Sequence, residues 1–305
     1  MIAYDLTVIG DLNLDILLEV PRFPGVDEEV EILSRRQSPG GDAANIAAAA
    51  ARLGGSPVLI ACAGAKDEGP TLAADLQALG VDTHLMEWHA ALPTGCVIGI
   101  VRPDGQRNLL ADRGANRELH LGAAQREAIA RSRRVHLSDP LPHIISEVTA
   151  VLTEGTLLSL DPGGITAERG LDALAPLLAR TEIYFSNTNE VHRLTRIASL
   201  PDAVQRIREA GPRVVVIKQA EQGCAVFTAS AHFQVPGYAA TAVDATGAGD
   251  AFDAAFLTAL LENQSLEQAA QFANAVGALT TLRVGAQASQ PTRQQVMEFM
   301  KQEGT

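Results

Sequence analysis

Apolar and polar positions along the chain switch repeatedly between a period near two and a period near 3.6. Residues 4–10 form a short β-rich run ending in Gly-Asp, and 42–53 is an alanine-rich helical stretch closed by Gly54-Gly55. A strand follows at 58–63. The pattern then predicts helix at 71–79, strand at 135–137, helix at 144–152 and strand at 157–160. Helix near 171–179, strand at 182–186, helix near 202–210 and strand at 214–217 continue it. Such alternation implies an α/β protein with a mostly parallel central sheet, right-handed crossovers and helices on both faces. Two stretches break it. Segments of about 14–38 and 92–112 read as extended chain with turn residues, Pro21, Pro24 and Gly25 in the first and Pro103-Asp104-Gly105 in the second. Inserted strand pairs would project as a small β-sheet lid over the active face. Helix formers dominate from 249 to 278, and 292–301 suits a final helix. With no internal repeat and no linker, a single domain over 1–305 is expected.

Composition narrows the partners. At 305 residues and 47% hydrophobic, the chain can build its core without disulfides or structural metals. The balance of 24 Lys+Arg against 36 Asp+Glu gives a net charge of −12, which argues against nucleic acid or a membrane surface as partner. Any anionic ligand must be met by a local device. Cys62, Cys96 and Cys224 include no C-x-x-C pair, so neither a zinc site nor a disulfide framework is suggested. Asp5 interrupts the N-terminal apolar run, no basic leader precedes it, and no stretch of about 18 apolar residues occurs. A reducing, cytoplasmic location is expected.

The local device is Asp244-Ala-Thr-Gly-Ala-Gly-Asp250-Ala-Phe252, a glycine-rich turn running into a helix. Amides of Gly247, Ala248 and Gly249 would be free at the positive end of the helix dipole, and small side chains let an anion approach them. A carboxylate beside such a cradle repels the anion. Asp250 therefore reads as a base that takes a proton from a hydroxyl while the cradle stabilises a transferring group. An ordinary turn with a dipole-favoured aspartate is the competing reading. G-x-x-x-x-G-K-[ST] is absent, and Phe252 stands where a dinucleotide fingerprint needs its third glycine. After the first strand, Gly10-Asp11-Leu-Asn13-Leu-Asp15 puts three polar side chains on one face of an extended segment, suited to a polyhydroxylated ligand.

Two segments together carry a resemblance. Asp244 with Gly247–Asp250 resembles the C-terminal signature of the ribokinase-like (PfkB) carbohydrate kinases, and Gly40-Gly41-Asp42-Ala-Ala-Asn45 resembles their N-terminal signature. The similarity of element order extends from Tyr4 to about Met300. It implies a three-layer α/β/α ribokinase-like fold with a β-sheet lid, and ATP-dependent phosphorylation of a sugar or nucleoside hydroxyl. It further implies Asp250 as catalytic base and Gly247, Ala248 and Gly249 as anion hole. On the substrate side it points to Asn13, Asp15, Gly40, Gly41 and Asn45, joined by Asp11. Arg107 on the lid side and Asp139 after the strand at 135–137 are further pocket candidates, and Gly114-Ala-Asn116 resembles a ribokinase G-A-N element.

The same resemblance makes Asn187-Thr-Asn-Glu190 an N-x-x-E motif whose Glu190 organises Mg²⁺ through water, chemically reasonable for an ion that keeps several waters. For the nucleotide it implies Asn187 together with Lys218, as a phosphate contact, and Gly223 in a strand-end segment ending in G-x-x-G, with Ala220 where glycine is usual, and it puts Asn274 beside the adenine. Asp244, Thr246, Gly285 and Ser289 would surround a monovalent cation, so K⁺ activation is expected along with ATP and Mg²⁺. A homodimer through the lid is expected. Alternatives are a nucleoside kinase, though aromatic stacking surface is scarce and Phe23 is the one aromatic in the first lid segment, and a non-catalytic sugar or nucleotide sensor on the same fold. Asp42 after Gly40-Gly41 counts against a phosphorylated sugar, which would want a cation there. Gly10-Asp11-Leu12 lacks the fingerprint that a dinucleotide oxidoreductase needs.

Overall fold

A computed structural model describes residues 4–303. The chain opens on β1 (Tyr4–Ile9), passes through β2 (Asn13–Glu19) and β3 (Ser34–Gly40) into α1 (Asp42–Arg52), and returns through β4 (Pro57–Ile60), β5 (Cys62–Gly64), α2 (Gly69–Ala78) and β6 (Glu87–His89). β7 (Gly95–Val101) and β8 (Arg107–Asp112) lead to a 3-10 turn at Gly114–Glu118, then α3 (Ala123–Ala130), β9 (Ser132–Ser138), α4 (Pro142–Val151), β10 (Leu157–Asp161), α5 (Gly163–Ala167) and α6 (Leu171–Leu178). Next come β11 (Thr181–Asn187), α7 (Thr188–Thr195), α8 (Leu200–Glu209), β12 (Val214–Lys218), β13 (Cys224–Phe227) and β14 (His232–Val235). Three helices close the chain: α9 (Ala248–Leu261), α10 (Leu266–Thr280) and α11 (Arg293–Glu303).

Eight strands form the main sheet in the order β14-β13-β12-β11-β10-β9-β1-β4. From β4 to β12 all pairs are parallel, whereas β13 and β14 add an antiparallel edge. The pleat divides the apolar strand residues between two cores. Ile183, Phe185 and Val216 face the core shared with α1, α9 and α10, while Tyr184, Val215 and Ile217 face the one shared with α4, α6 and α8. Alanines at 43, 44 and 47–50 give α1 a small-residue surface, and Phe256 on α9 is fully buried in the same core. Truncating such a phenylalanine to alanine costs about 3–5 kcal/mol.

The sheet's C-terminal strand ends gather β1, β9, β10, β11 and β12 along one edge. Over that edge lies a second sheet of four strands, β3-β2-β7-β8, in which β2 and β7 run parallel and the outer pairs antiparallel. Its strands come from the two segments that broke the helical alternation, the first pair reaching one residue before and two beyond the expected 14–38, with an irregular loop at 20–33. The strand expected at 58–63 divides instead. Ala61 leaves the main sheet, and Cys62–Gly64 pairs with β6 in a separate two-stranded sheet. The short helices α3, α5 and α7 and the edge pair β13–β14 lie outside the sequence pattern, being too brief to establish a period. Among the described residues no helix is long and apolar enough to cross a membrane.

Candidate active site

A cleft of about 1290 Å³ separates the second sheet from the strand ends of the first. At one end lies the start of α9. Gly247 is its N-cap at φ 75°, and a Cβ there would lie 2.9 Å from the Ala286 backbone, so the turn requires glycine twice over. Of the amides counted as a cradle, that of Ala248 donates to the Ala245 carbonyl at 3.2 Å. Those of Gly247, Gly249 and Asp250 have no acceptor among the described residues, so Asp250 contributes its own N–H in place of Ala248.

Asp250 is in the first turn of α9 and lines the cleft. Burial pushes its carboxyl up to about 7, against the opposing effects of an Asn45 hydrogen bond and the Lys218 charge; Asp161 and Asp11 push it further up. Asn45 Nδ2 donates to Asp250 Oδ2 at 2.9 Å, Gln287 Nε2 donates to Asn45 Oδ1 at 3.1 Å, and Gln290 Nε2 donates to the Asn45 carbonyl at 2.9 Å. Asn45, expected on the sugar, is thus fixed on the carboxylate. A group poised near neutrality and locked in orientation can accept a proton from a hydroxyl.

Carboxylates dominate the opposite end. Asp11 follows β1, accepts from Asn13 Nδ2 at 2.6 Å and faces the start of α1, where the Ala43 amide donates to it at 3.3 Å. Asn116 Nδ2 donates to Asn13 Oδ1 at 2.8 Å, and its Oδ1 accepts from the Leu12 amide at 3.1 Å, which pins the β1–β2 connection. Asp15 lies directly over Gly40, whose missing side chain makes the room. Its carboxyl is pushed up to about 7 by burial and by the charges of Asp11 and Asp250. Gly41, at φ 95°, brings the chain against the Asp11 carbonyl. Asp42, which the sequence offered only as an argument about charge, lines the cleft; burial and four neighbouring aspartates hold its carboxyl well above the usual range. Asp139 sits at φ 42° with its carboxylate held by Arg113 at 2.6 Å and Thr166 at 2.7 Å.

The remaining candidates fall around the α9 end. Arg107 Nη1 lies 3.3 Å from Thr246 Oγ1, so the second sheet delivers its guanidinium beside the loop that precedes the cradle, away from the sugar end where it was expected. Thr246 and the Gly285 amide donate to Asp244. Burial works against ionisation of Asp244, but those bonds prevail and hold its carboxyl below its ordinary value. Ser289 Oγ is buried with no hydrogen-bond partner. Asn187 and Glu190 form the capping box of α7, Asn187 Oδ1 accepting from the Glu190 amide at 3.0 Å and Glu190 Oε2 from the Asn187 amide at 2.9 Å. Asn274 Nδ2 is spent on the Val235 and Pro236 carbonyls, both at 3.0 Å, and Gly223 lines the cleft at the turn from β12 to β13. Lys218 Nζ is held by Asp161 at 2.6 Å and Asp253 at 3.0 Å.

Residues 4–293 match the pfkB family carbohydrate kinase profile. This chain belongs to that family. It is a carbohydrate kinase, moving a phosphoryl group to a sugar hydroxyl. It is 34% identical over 295 residues to the ATP-dependent ribose-1-phosphate kinase of Halopiger xanaduensis, covering 96% of this chain and 97% of the relative. It is 30% identical to the ribokinase of Haemophilus influenzae, covering 97% and 98%. The ribokinase of Arabidopsis thaliana in complex with ribose and ATP superposes with a TM-score of 0.89 at 28% identity, over 98% of this chain and 99% of that one.

For a carbohydrate kinase the sequence reading passed over several residues in and behind the cleft. Asp161 and Arg113, which line it, and Asp253 and Gln287, buried behind it, are brought in by strand order and helix packing; of the four only Gln287 stands in a motif, the Gly285–Ser289 segment. A period signal did exist for Asp253, which lies three residues after Asp250 and so on the same helix face.

Proposed function

We propose that this kinase phosphorylates a primary hydroxyl of an uncharged sugar, with ATP as donor and Asp250 as base. The observation that carries the reading is the pairing of a carboxyl raised to about 7 with three unpaired amides at one helix start. Asp250 accepts the hydroxyl proton as the sugar oxygen attacks the γ-phosphorus and the bond to ADP breaks. The Gly247, Gly249 and Asp250 amides stabilise the charge on the transferring group. Asn45 and Gln287 fix the carboxylate in line.

Asp11, Asn13, Asp15, Gly40, Gly41 and Asp42 supply acceptors and close backbone approach for sugar hydroxyls. Their charge favours a neutral polyol, and Arg113, the nearest cation, is already spent on Asp139. Ribose 1-phosphate is the second reading, favoured by Arg36, which lines the cleft from the second sheet and would meet an anomeric phosphate. The test is ADP release over a panel of ribose, fructose, 2-keto-3-deoxygluconate, ribose 1-phosphate and nucleosides. Turnover of a free sugar at the highest kcat/KM supports the first reading. A preference for ribose 1-phosphate replaces it with the second.

Both contacts of Glu190 with its own cap and with Ser186 fall on Oε2, which leaves Oε1 to hold a water of Mg²⁺. Bound there, the ion would neutralise triphosphate charge. The orphaned Ser289 Oγ, with Asp244, Thr246 and the Gly285 segment, suits a monovalent cation; equal rates in potassium and in a large organic cation would remove that assignment. We read the second sheet as the lid of a single kinase domain, excluding water during transfer. Its outward face sets Leu18 beside Ile100 and Ile98 beside Leu110, an apolar surface suited to pairing with a second copy. Ile100→Lys should shift sedimentation to the monomer.

A further inference from the structure

We infer that Asp161 and Asp253 clamp the Lys218 ammonium behind Gly249 as a resident cation of the phosphoryl site, acting through the helix start and Asp250 rather than by gripping the nucleotide. This rests on the reading of Asp250 as base. Lys218 ends β12, Asp161 ends β10, and Asp253 lies one turn along α9 from Asp250, so the clamp ties two strand ends to the catalytic helix. Nζ is 2.6 Å from Asp161 Oδ2 and 3.0 and 3.1 Å from the two oxygens of Asp253, with side chains 14%, 12% and 0% exposed. The Gly163 amide donates to the other Asp161 oxygen at 2.9 Å, which fixes the clamp from α5. A Cβ on Gly249 would lie 3.4 Å from Nζ, so the ammonium sits against the backbone of one of the free amides.

A buried cation here has two consequences. It sets an ammonium, countered by its two aspartates, against the Gly249 backbone where charge develops during transfer, with no reorganisation at the moment of reaction. It also favours the ionised form of Asp250, offsetting burial and the charges that surround that carboxyl: Asp11 after β1, Asp15 on β2, Asp42 on α1 and Asp161 on β10. Lys218 in turn faces Glu190 on α7 and the buried His136 on β9, as well as its two clamps. Asp161 and Asp253 hold it strongly protonated, overcoming the burial that opposes its charge, while burial pushes the Asp253 carboxyl itself well above its usual range. A lysine so engaged is a poor hand for a mobile triphosphate and a good fixed charge.

The test compares Lys218→Met, Asp253→Asn and Asp250→Asn with the wild-type enzyme, following kcat, both KM values, the pH profile of kcat and the thermal midpoint. Lys218→Met should lower kcat about 100-fold, in the range seen for loss of one oxyanion donor. Its KM for ATP should stay within about twofold. Its acid limb should move to higher pH, since an Asp250 that has lost a neighbouring positive charge holds its proton more tightly. Asp253→Asn, which keeps the side-chain shape but removes a negative charge from beside the lysine, should lower kcat by less and move the acid limb the opposite way, to lower pH. If Lys218→Met folds poorly, the double variant Lys218→Met/Asp253→Leu replaces that ion pair with apolar groups, a change that often restores stability. Kcat should stay low as the thermal midpoint recovers. A raised KM for ATP with unchanged kcat would make Lys218 a nucleotide ligand. A lowered thermal midpoint with kcat and the pH profile intact would make the clamp purely structural. Either outcome overturns the inference while Asp250→Asn, if inactive, leaves the base assignment standing. An active Asp250→Asn overturns the base itself.

Discussion

The two ends of the cleft are built on opposite principles. The phosphoryl end is one contiguous stretch, 244–253, whose free amides follow from the geometry of a helix start and present the positive pole of α9, with Lys218 and Arg107 beside it. The sugar end is assembled from the β1–β2 connection, the start of α1, Asn116 and Asp139, brought together by strand order, and its charge is negative. Asp250 stands between them, and in the proposed mechanism its amide serves one end and its carboxylate the other. A kinase needs this division. An anion must be held at one end and hydroxyls at the other, and each device would fail in the other's place.

The most severe test of that division is Asp250→Asn. It should cut kcat about 10³-fold while leaving both ligands bound, because only proton acceptance is lost. Steady-state kinetics with calorimetric titration of sugar would check it. The same variant should raise the thermal midpoint at pH 8, by stabilisation on the order of 2 kcal/mol. The sign follows from linkage. A carboxyl raised to about 7 in the folded chain and ordinary in the unfolded one destabilises the fold above pH 7, and that cost is relieved as pH falls toward 4. A midpoint that stays flat from pH 8 to 5 in wild type would contradict the raised value.

Gly247→Ala comes next. A Cβ at φ 75° and 2.9 Å from the Ala286 backbone must displace the helix start, and kcat should fall about 100-fold. Sugar KM should change little, since the sugar end is built elsewhere.

Asn45→Ala sharpens the boundary between the ends. With its amide on Asp250, it should lower kcat about tenfold and move the acid limb up, because that hydrogen bond favours the ionised carboxylate. A raised sugar KM with kcat intact would return Asn45 to the sugar end. The smallest effect belongs to Ala220→Gly. Ala220 stands at φ 51°, a conformation that costs a β-carbon about 1–2 kcal/mol, partly offset by the greater freedom of unfolded glycine. Denaturant unfolding should register a net gain of up to about 1 kcal/mol, with kinetics unchanged.

What the sequence by itself determined is whatever depends on near neighbours in the chain. The strand–helix alternation fixed the parallel sheet, and the polar interruptions at 14–38 and 92–112 marked the second sheet. The glycine turn before Asp250 marked the cradle, because dihedral freedom and a helix start are local properties. Even Ala220 was visible as a departure, and its left-handed backbone supplies the reason glycine is usual there. Tertiary structure decided what each polar side chain does once neighbours distant in sequence arrive. Asn45 meets Asp250 across 205 positions and Gln287 across 242, so no spacing rule could reveal that its amide meets that carboxylate. Arg107 crosses 139 positions to reach Thr246, and the Lys218 clamp draws on a strand 57 residues earlier and a helix 35 residues later. Burial also belongs to the folded state. The same aspartate is an ordinary acid in the extended chain, and its carboxyl rises to about 7 only after the fold has closed around it.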